Sequence, residues 1–179
     1  AATAVLKKCK EHGIRTAIET TAFAKPLAFS RFIANADMII IDLKHYSEKK
    51  YVQFTGVSNH SILENLDFAI SIGKKVAVRI TITPGINDTL ADAERLAGLI
   101  NKRRARVNLM RWNPVDGIAL DRTGDRSLGL FREVLDRAGV PVVVRYTQGR
   151  DISAACGQLW LRDLRGIPVE KRGATKKAA

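Results

Sequence analysis

Residues 38–44 read MIIIDLK, an apolar run that carries no polar side chain until it ends in two charges. A strand that is oily on both faces must be covered on both, the condition of strands in parallel sheets. Four other runs read as strands: Ile14 to Thr20, Lys75 to Thr83 (KVAVRITIT), Arg106 to Arg111 and Val140 to Arg145. Between them lie segments with helical spacing of apolar residues. Residues 2–12 and 26–34 are two of these, the second with Pro26 in its first turn. Ser58 to Ile72 is a third, closed by Gly73. A fourth runs from a cap at Asp88 or Thr89 to about Ile100, and Ser127 to Ala138 is the fifth. The alternation predicts an α/β fold: about five parallel strands with helices outside, part of a (βα) barrel of the TIM type. Because the chain opens on a helix, the first strands of such a barrel are expected to be missing. Residues 1–165 are assigned to the partial barrel and 166–179 to a basic, flexible tail.

Composition narrows the partners. The chain has 179 residues, 46% of them hydrophobic, enough for a real core. No apolar run approaches membrane-spanning length, so no membrane association is expected. Two cysteines, Cys9 and Cys156, form no disulfide framework, which points to the cytoplasm. Thirty basic residues against 18 acidic give a net charge of +12. That excess calls for an anionic partner, RNA first, although Lys171, Arg172, Lys176 and Lys177 place part of it in the tail.

Polar residues gather at strand ends. Asp42 and Lys44 are two apart and share a face, as do Ala77, Arg79 and Thr81. Glu19 ends the first strand and Asn113 follows the fourth. Such groups are costly to bury singly. Either they line one polar mouth that grips a zwitterionic small molecule, or Asp42 pairs internally with Arg79 or Lys44. His45, next in the chain, reads as a surface or supporting residue, and no histidine–cysteine spacing suits a metal. Trp112 and Trp160 read as packing residues. The segment VVVRYTQGRDISAACGQLW (142–160) carries Cys156 among small neighbours, in what reads as the loop at a strand's C-terminal end. In α/β folds that end is where chemistry is placed. Arg145 and Arg150 are near enough in sequence to favour the thiolate.

Four stretches then carry a resemblance: IETTAF (18–23), ADMIIIDLKHYS (36–47), FTGVSNHSILENL (54–66) and VRITITPGIND (78–88). Residues 1–102 resemble the middle of glycyl-radical-enzyme activating enzymes, which are radical S-adenosylmethionine (radical SAM) proteins. The resemblance implies that Glu19, Thr20, Asp42, Lys44 and Arg79 lie near the methionyl end of S-adenosylmethionine or a bound monovalent cation. Residues 105–166 resemble a different branch. RVNLMRWNPVDG (106–117) and VVRYTQGRDISAACGQL (143–159) are similar to the radical SAM adenine-C2 methyltransferases of 23S rRNA and tRNA. By that resemblance Cys156 is the catalytic thiol and Asn113 a cofactor contact. The chain is thus a mosaic. Those methyltransferases carry S-T-S-G and S-L-H where this chain has IETTAF and IDLKH, and activating enzymes carry P-Y-H near its RWN.

Both families hold a 4Fe–4S cluster on C-x3-C-x2-C and use a G-G-E stretch for the cofactor's amino group. Neither motif is present here, so a cluster is expected only in an intact protein, and this chain alone is expected to be inactive. Three functions follow: the C-terminal part of an RNA adenine-C2 methyltransferase; an activating enzyme whose partner is a glycyl radical enzyme; or a non-catalytic, basic RNA-binding fragment.

Overall fold

The computed structural model describes residues 1–114 and 119–145. In chain order its elements are α1 (Ala2–Glu11), β1 (Ala17–Thr20), α2 (Pro26–Ile33), β2 (Met38–Asp42), α3 (Glu48–Thr55), α4 (His60–Ser71), β3 (Lys75–Ile82), α5 (Leu90–Asn101), β4 (Arg106–Arg111), α6 (Asp125–Arg137) and β5 (Val142–Arg145). The five strands form one sheet in the order β1-β2-β3-β4-β5, and every pair is parallel. Strict sequential order has no reversal point, so this is barrel topology rather than a doubly wound sheet.

One face of the sheet carries the core. Ile39 and Ile41, Val76, Val78, Ile80 and Ile82, then Val107 and Leu109 alternate onto it, all nearly or fully buried. The helices cover them with Phe29, Ile33, Ile62, Leu66, Leu96, Ile100, Leu128 and Phe131. Each such side chain contributes about 1.5–3 kcal/mol by leaving water, and together they hold five strands that have no hairpin between them.

The predicted elements are present, with shorter edges. β1 begins at Ala17 because the preceding residues still finish α1: the Ile14 amide donates to the Cys9 carbonyl (2.9 Å), and Ile14 is exposed. Thr89 caps α5 by a reciprocal pair of bonds with Asp92, as its position before the apolar stripe suggested. Helix α3 was not expected. Its sequence EKKYVQFT buries only Tyr51, so it has no apolar stripe to read, and it ends at Gly56 in the left-handed conformation (φ 77°). The basic tail and the Cys156 loop lie outside the described residues. No helix among the described residues is long and apolar enough to cross a membrane.

Candidate functional site

The second face of the sheet is polar at the C-terminal ends of its strands. Register aligns Asp42 with Arg79 and Arg79 with Asn108, while Glu19 aligns with Ile40, one residue pair below Asp42. In-register residues of parallel strands share a face. Arg79 Nη2 lies 2.7 Å from Asp42 Oδ2 and its Nη1 lies 2.5 Å from Glu19 Oε1. Lys44 Nζ reaches the same Asp42 oxygen at 2.5 Å. The two sequence alternatives are therefore one object: the strand-end charges do converge, and they converge by pairing with one another.

Burial ranks these pairs. The Asp42 and Arg79 side chains are 10% and 21% exposed, whereas Lys44 and Glu19 are 50% and 46% exposed. The outer two are screened and each is worth about 0–1 kcal/mol. The Asp42–Arg79 pair is the dry centre. Beside it, Asn108 is 4% exposed, and its side-chain amide makes no hydrogen bond to the described residues. The sequence reading passed over Asn108 because a single polar residue inside RVNLMR reads as noise in an apolar run.

One expected site residue sits elsewhere. Thr20 aligns with Ile41 and Val78, on the face toward the helices, and its hydroxyl accepts the Ala22 amide at 3.1 Å. Asn113 is half-buried, two residues past the end of β4. Cys156, with Arg150 and Trp160, lies outside the described residues.

The loops around this mouth are clamped by buried asparagines, another feature that the sequence did not announce. Asn65 Nδ2 donates to the carbonyls of Ala22 (2.8 Å) and Ala24 (2.9 Å), holding the loop after β1. Ala22 has φ 59°, an uncommon backbone for a residue with a Cβ, and it persists because its neighbours fix it at both N–H and C=O. Asn59 donates to the carbonyls of His45 and Tyr46 after β2. Asn87 accepts the Thr83 amide and donates to Thr81 after β3. After β4, the buried Arg111 bonds the Thr123 carbonyl and Asp125, and the Thr123 hydroxyl bonds the Ile82 carbonyl. The loops after β1, β2 and β3, and the described part of the one after β4, are thus fastened from within around the charged side chains.

His45 is buried rather than on the surface, at 1% exposure. Its Nδ1 accepts the Ser47 amide at 2.9 Å, which requires a neutral ring with the proton on Nε2. Burial pushes its pKa down and Lys50 adds to this, while Asp92 opposes it. A histidine whose folded pKa is depressed binds more protons when unfolded, so stability rises with pH across the window. The contribution is fully present above about pH 6.5, the ordinary imidazole value, and is lost as pH falls below it. Urea titrations between about pH 6.5 and 5, above the carboxylate range, should show this loss in the wild type. His45→Asn, which keeps an acceptor but cannot take a proton, should flatten it.

Among the described residues no group of three histidine, cysteine or acidic side chains could hold a metal ion, and Cys9 is half-buried on α1. Two cysteines in 179 residues cannot supply three thiolates, so the chain does not fit a 4Fe–4S cluster by itself.

No family model matches the chain. It is 56% identical over 121 residues to a probable RNA methyltransferase of Rhodopseudomonas palustris, a match covering 65% of this chain and 34% of that protein. It is 32% identical over 124 residues to the choline trimethylamine-lyase activating enzyme of Oleidesulfovibrio alaskensis, covering 69% of this chain and 39% of the relative. The chain thus spans about a third of the length of these curated relatives. Among solved structures it superposes on a domain of a pyruvate-formate lyase-activating enzyme from Bacteroides vulgatus with TM-score 0.71 at 20% identity, covering 80% of this chain and 89% of that one. A radical SAM methyltransferase from Sphaerobacter thermophilus gives TM-score 0.69 at 22% identity, over 82% of this chain and 46% of the other. By fold the chain matches part of the barrel of these solved enzymes, and in sequence it is similar to a probable RNA methyltransferase and, at lower identity, to an activating enzyme.

Proposed function

We propose that this chain is the cofactor-gripping, C-terminal portion of a radical SAM enzyme that methylates adenine C2 in RNA. The observation that carries the reading is the polar face: Glu19, Asp42, Lys44, Arg79 and Asn108 converge on one face of four adjacent strands, in a chain 56% identical over 121 residues to a probable RNA methyltransferase.

The side chains present suit S-adenosylmethionine. Its methionyl end carries a carboxylate, an ammonium and a sulfonium, and the face offers two cations, two carboxylates and a neutral amide. Asn108 is the neutral polar group on this face, with a side-chain amide that no described residue bonds and that a ligand could take. Arg79 and Lys44 would hold the carboxylate, Asp42 and Glu19 the cationic groups, and Asn108 a hydroxyl or amino group. When bound, S-adenosylmethionine supplies both the methyl group and the radical chemistry. This chain's part is to fix the cofactor and exclude water. Cys156 is the proposed catalytic thiol, holding or releasing a proton at Sγ, and Asn113 a further cofactor contact. A cluster takes no ligands from residues 1–179 in this scheme, and no step here runs through one.

Asn108→Leu separates these roles. Because no described residue bonds the Asn108 amide, an apolar side chain of similar shape should keep stability within about 0.5 kcal/mol of wild type. Affinity for S-adenosylmethionine, measured by equilibrium dialysis on the protein at its full encoded length, should fall roughly tenfold, as for one lost hydrogen bond in a dry site. Equal loss of both would mean that Asn108 is merely structural.

The function itself is tested by incubating that protein with reductant, methyl-labelled S-adenosylmethionine and RNA, then digesting the RNA for mass spectrometry. Labelled 2-methyladenosine is the expected product. A second reading has its own support, because the match to the choline trimethylamine-lyase activating enzyme covers 69% of this chain. A glycyl radical seen by electron paramagnetic resonance on a partner enzyme, with no methylated adenosine, would establish that reading instead. Salt-sensitive RNA binding with neither product would leave a non-catalytic RNA-binding fragment.

A further inference from the structure

The opposite, N-terminal rim of the sheet holds a second concentration of charge that the chemistry above does not use. A basin of about 790 Å³ is lined there by Arg15, Lys74, Lys75, Arg104 and Arg106, with Asp37 as its carboxylate. These residues come from the beginnings of four adjacent strands or the turns that precede them. The carboxylate is already engaged: Asp37 accepts the Thr16 amide at 2.7 Å and the Thr16 hydroxyl at 3.3 Å. Lys74 is half engaged, donating to the carbonyls of Ala34 and Ala36, both at 2.8 Å. Arg15, Lys75, Arg104 and Arg106 are exposed and make no ion pair among the described residues. The local field is correspondingly positive. The Thr16 amide chiefly, with Lys10 and Lys74, holds the Asp37 carboxyl below its usual range, and burial with Lys10 beside it pushes the Lys74 ammonium down.

We propose that this basin is a docking site for the phosphodiester backbone of the RNA substrate. The proposal rests on the RNA-methyltransferase reading and deepens it by naming where the RNA is gripped away from the reacting base. Unpaired cations of one sign around a concave floor are what a polyanion requires. Their extent favours a nucleic-acid strand over a small anion. From the β1 side to the β4 side they cross three inter-strand gaps, about 14 Å at about 4.8 Å each. A strand places successive charges only about 3.4 Å apart in helical geometry, so several phosphates fit that span. The basin also sits about 13 Å from the Asp42–Arg79 pair, taking about 3.3 Å per residue over the four residues from Lys75 to Arg79. Binding at that distance recruits remote parts of the substrate, the usual source of energy for holding a reacting group in place.

The test uses the protein at its full encoded length, a labelled stem–loop RNA and the double variant Lys75→Gln/Arg106→Gln, with Arg15→Gln as an independent second change. Neither variant alters the Asp42–Arg79 face, so binding of S-adenosylmethionine should be unchanged and serves as the folding control. The double variant should bind RNA roughly tenfold or more weakly near 0.15 M salt, and its log–log salt slope should shrink by about 1.5, near 0.7–0.9 for each lost contact. In turnover, KM for RNA should rise while kcat holds. Wild-type affinity and slope in both variants would overturn the docking site and leave the methyltransferase reading standing. Tight binding of tripolyphosphate that depends on Lys75 and Arg106, with RNA binding insensitive to them, would make the basin a small-anion site and also overturn the proposal. If the wild type shows no salt-dependent RNA binding at all, the RNA reading itself falls.

Discussion

Arg79→Leu should cost about 2–3 kcal/mol of stability and at least tenfold in affinity for S-adenosylmethionine. Removing one partner of a buried ion pair costs about 3–5 kcal/mol because the other charge is left dry. The lower figure applies because the Arg79 side chain is 21% exposed, which leaves some solvent to screen what remains. Asp42 would keep only Lys44, half in water, and Glu19 would face Asp42 with no cation between them. Leucine fills the space without strain, so the loss reports charge rather than a cavity. The matching change isolates the pair: Asp42→Asn in the Arg79→Leu background should recover about 1 kcal/mol or more, since it neutralises the stranded carboxylate. Urea midpoints of the four proteins in the cycle give the coupling. A single variant within about 0.5 kcal/mol of wild type, the range of an ordinary surface change, would mean that the network is solvated and cannot be the dry floor of a binding site.

The sequence displays some of this arrangement and hides the rest for physical reasons. Strands β2 and β3 are legible because their apolar runs are long and β-branched, β2 reaching a charge only at its end and β3 carrying one, Arg79, between buried neighbours. For the same reason Asp42, Lys44 and Arg79 stand out: each interrupts a pattern that has no other use for it. Periodicity also places Glu19 on the sheet side that Thr20 does not share, since neighbouring strand residues alternate, whereas the motif resemblance alone groups the two. The structure divides them, with Thr20 bonded to the Ala22 amide. What stays hidden is whatever works through the backbone. Asn59, Asn65 and Asn87 bond to main-chain carbonyls or amides of loops up to 43 residues away in the chain. A polar residue in a helix or loop looks the same in sequence whether it faces water or fastens a loop. Helix α3 is hidden for a related reason, since a helix that buries one tyrosine has no stripe. Asn108 needs the register, because only alignment with Arg79 distinguishes it from any polar residue in a strand. The basic rim is spread over four segments, so as a sequence it is only an excess of lysine and arginine; folding the strand beginnings side by side makes it a site.

Cys156→Ala, in the protein at its full encoded length, should abolish adenine methylation by a factor of roughly 10³ or more, while S-adenosylmethionine binding and the urea midpoint stay near wild type. A positioned group that moves a proton at the reacting centre contributes about 10²–10⁴, and alanine leaves nothing in its place. Cys156→Ser is the informative companion. A hydroxyl keeps the size and the hydrogen bond, but it ionises far outside the working range of a thiol, so serine should rescue stability and not turnover. The competing interpretation is that a small residue between Ala155 and Gly157 is simply packed. In that case alanine and serine should differ little in activity, and any loss should follow stability. Chain geometry permits the chemistry: β5 ends at Arg145, whose alignment with Met110 puts it on the same polar face as Arg79, one residue pair nearer the C-terminal mouth. Cys156 follows eleven residues later, a length that at about 3.3 Å per extended residue can return to any point on that mouth. On that face Arg79 and Lys44 are already paired with Asp42 and Glu19, which leaves Arg145 to favour a thiolate brought there.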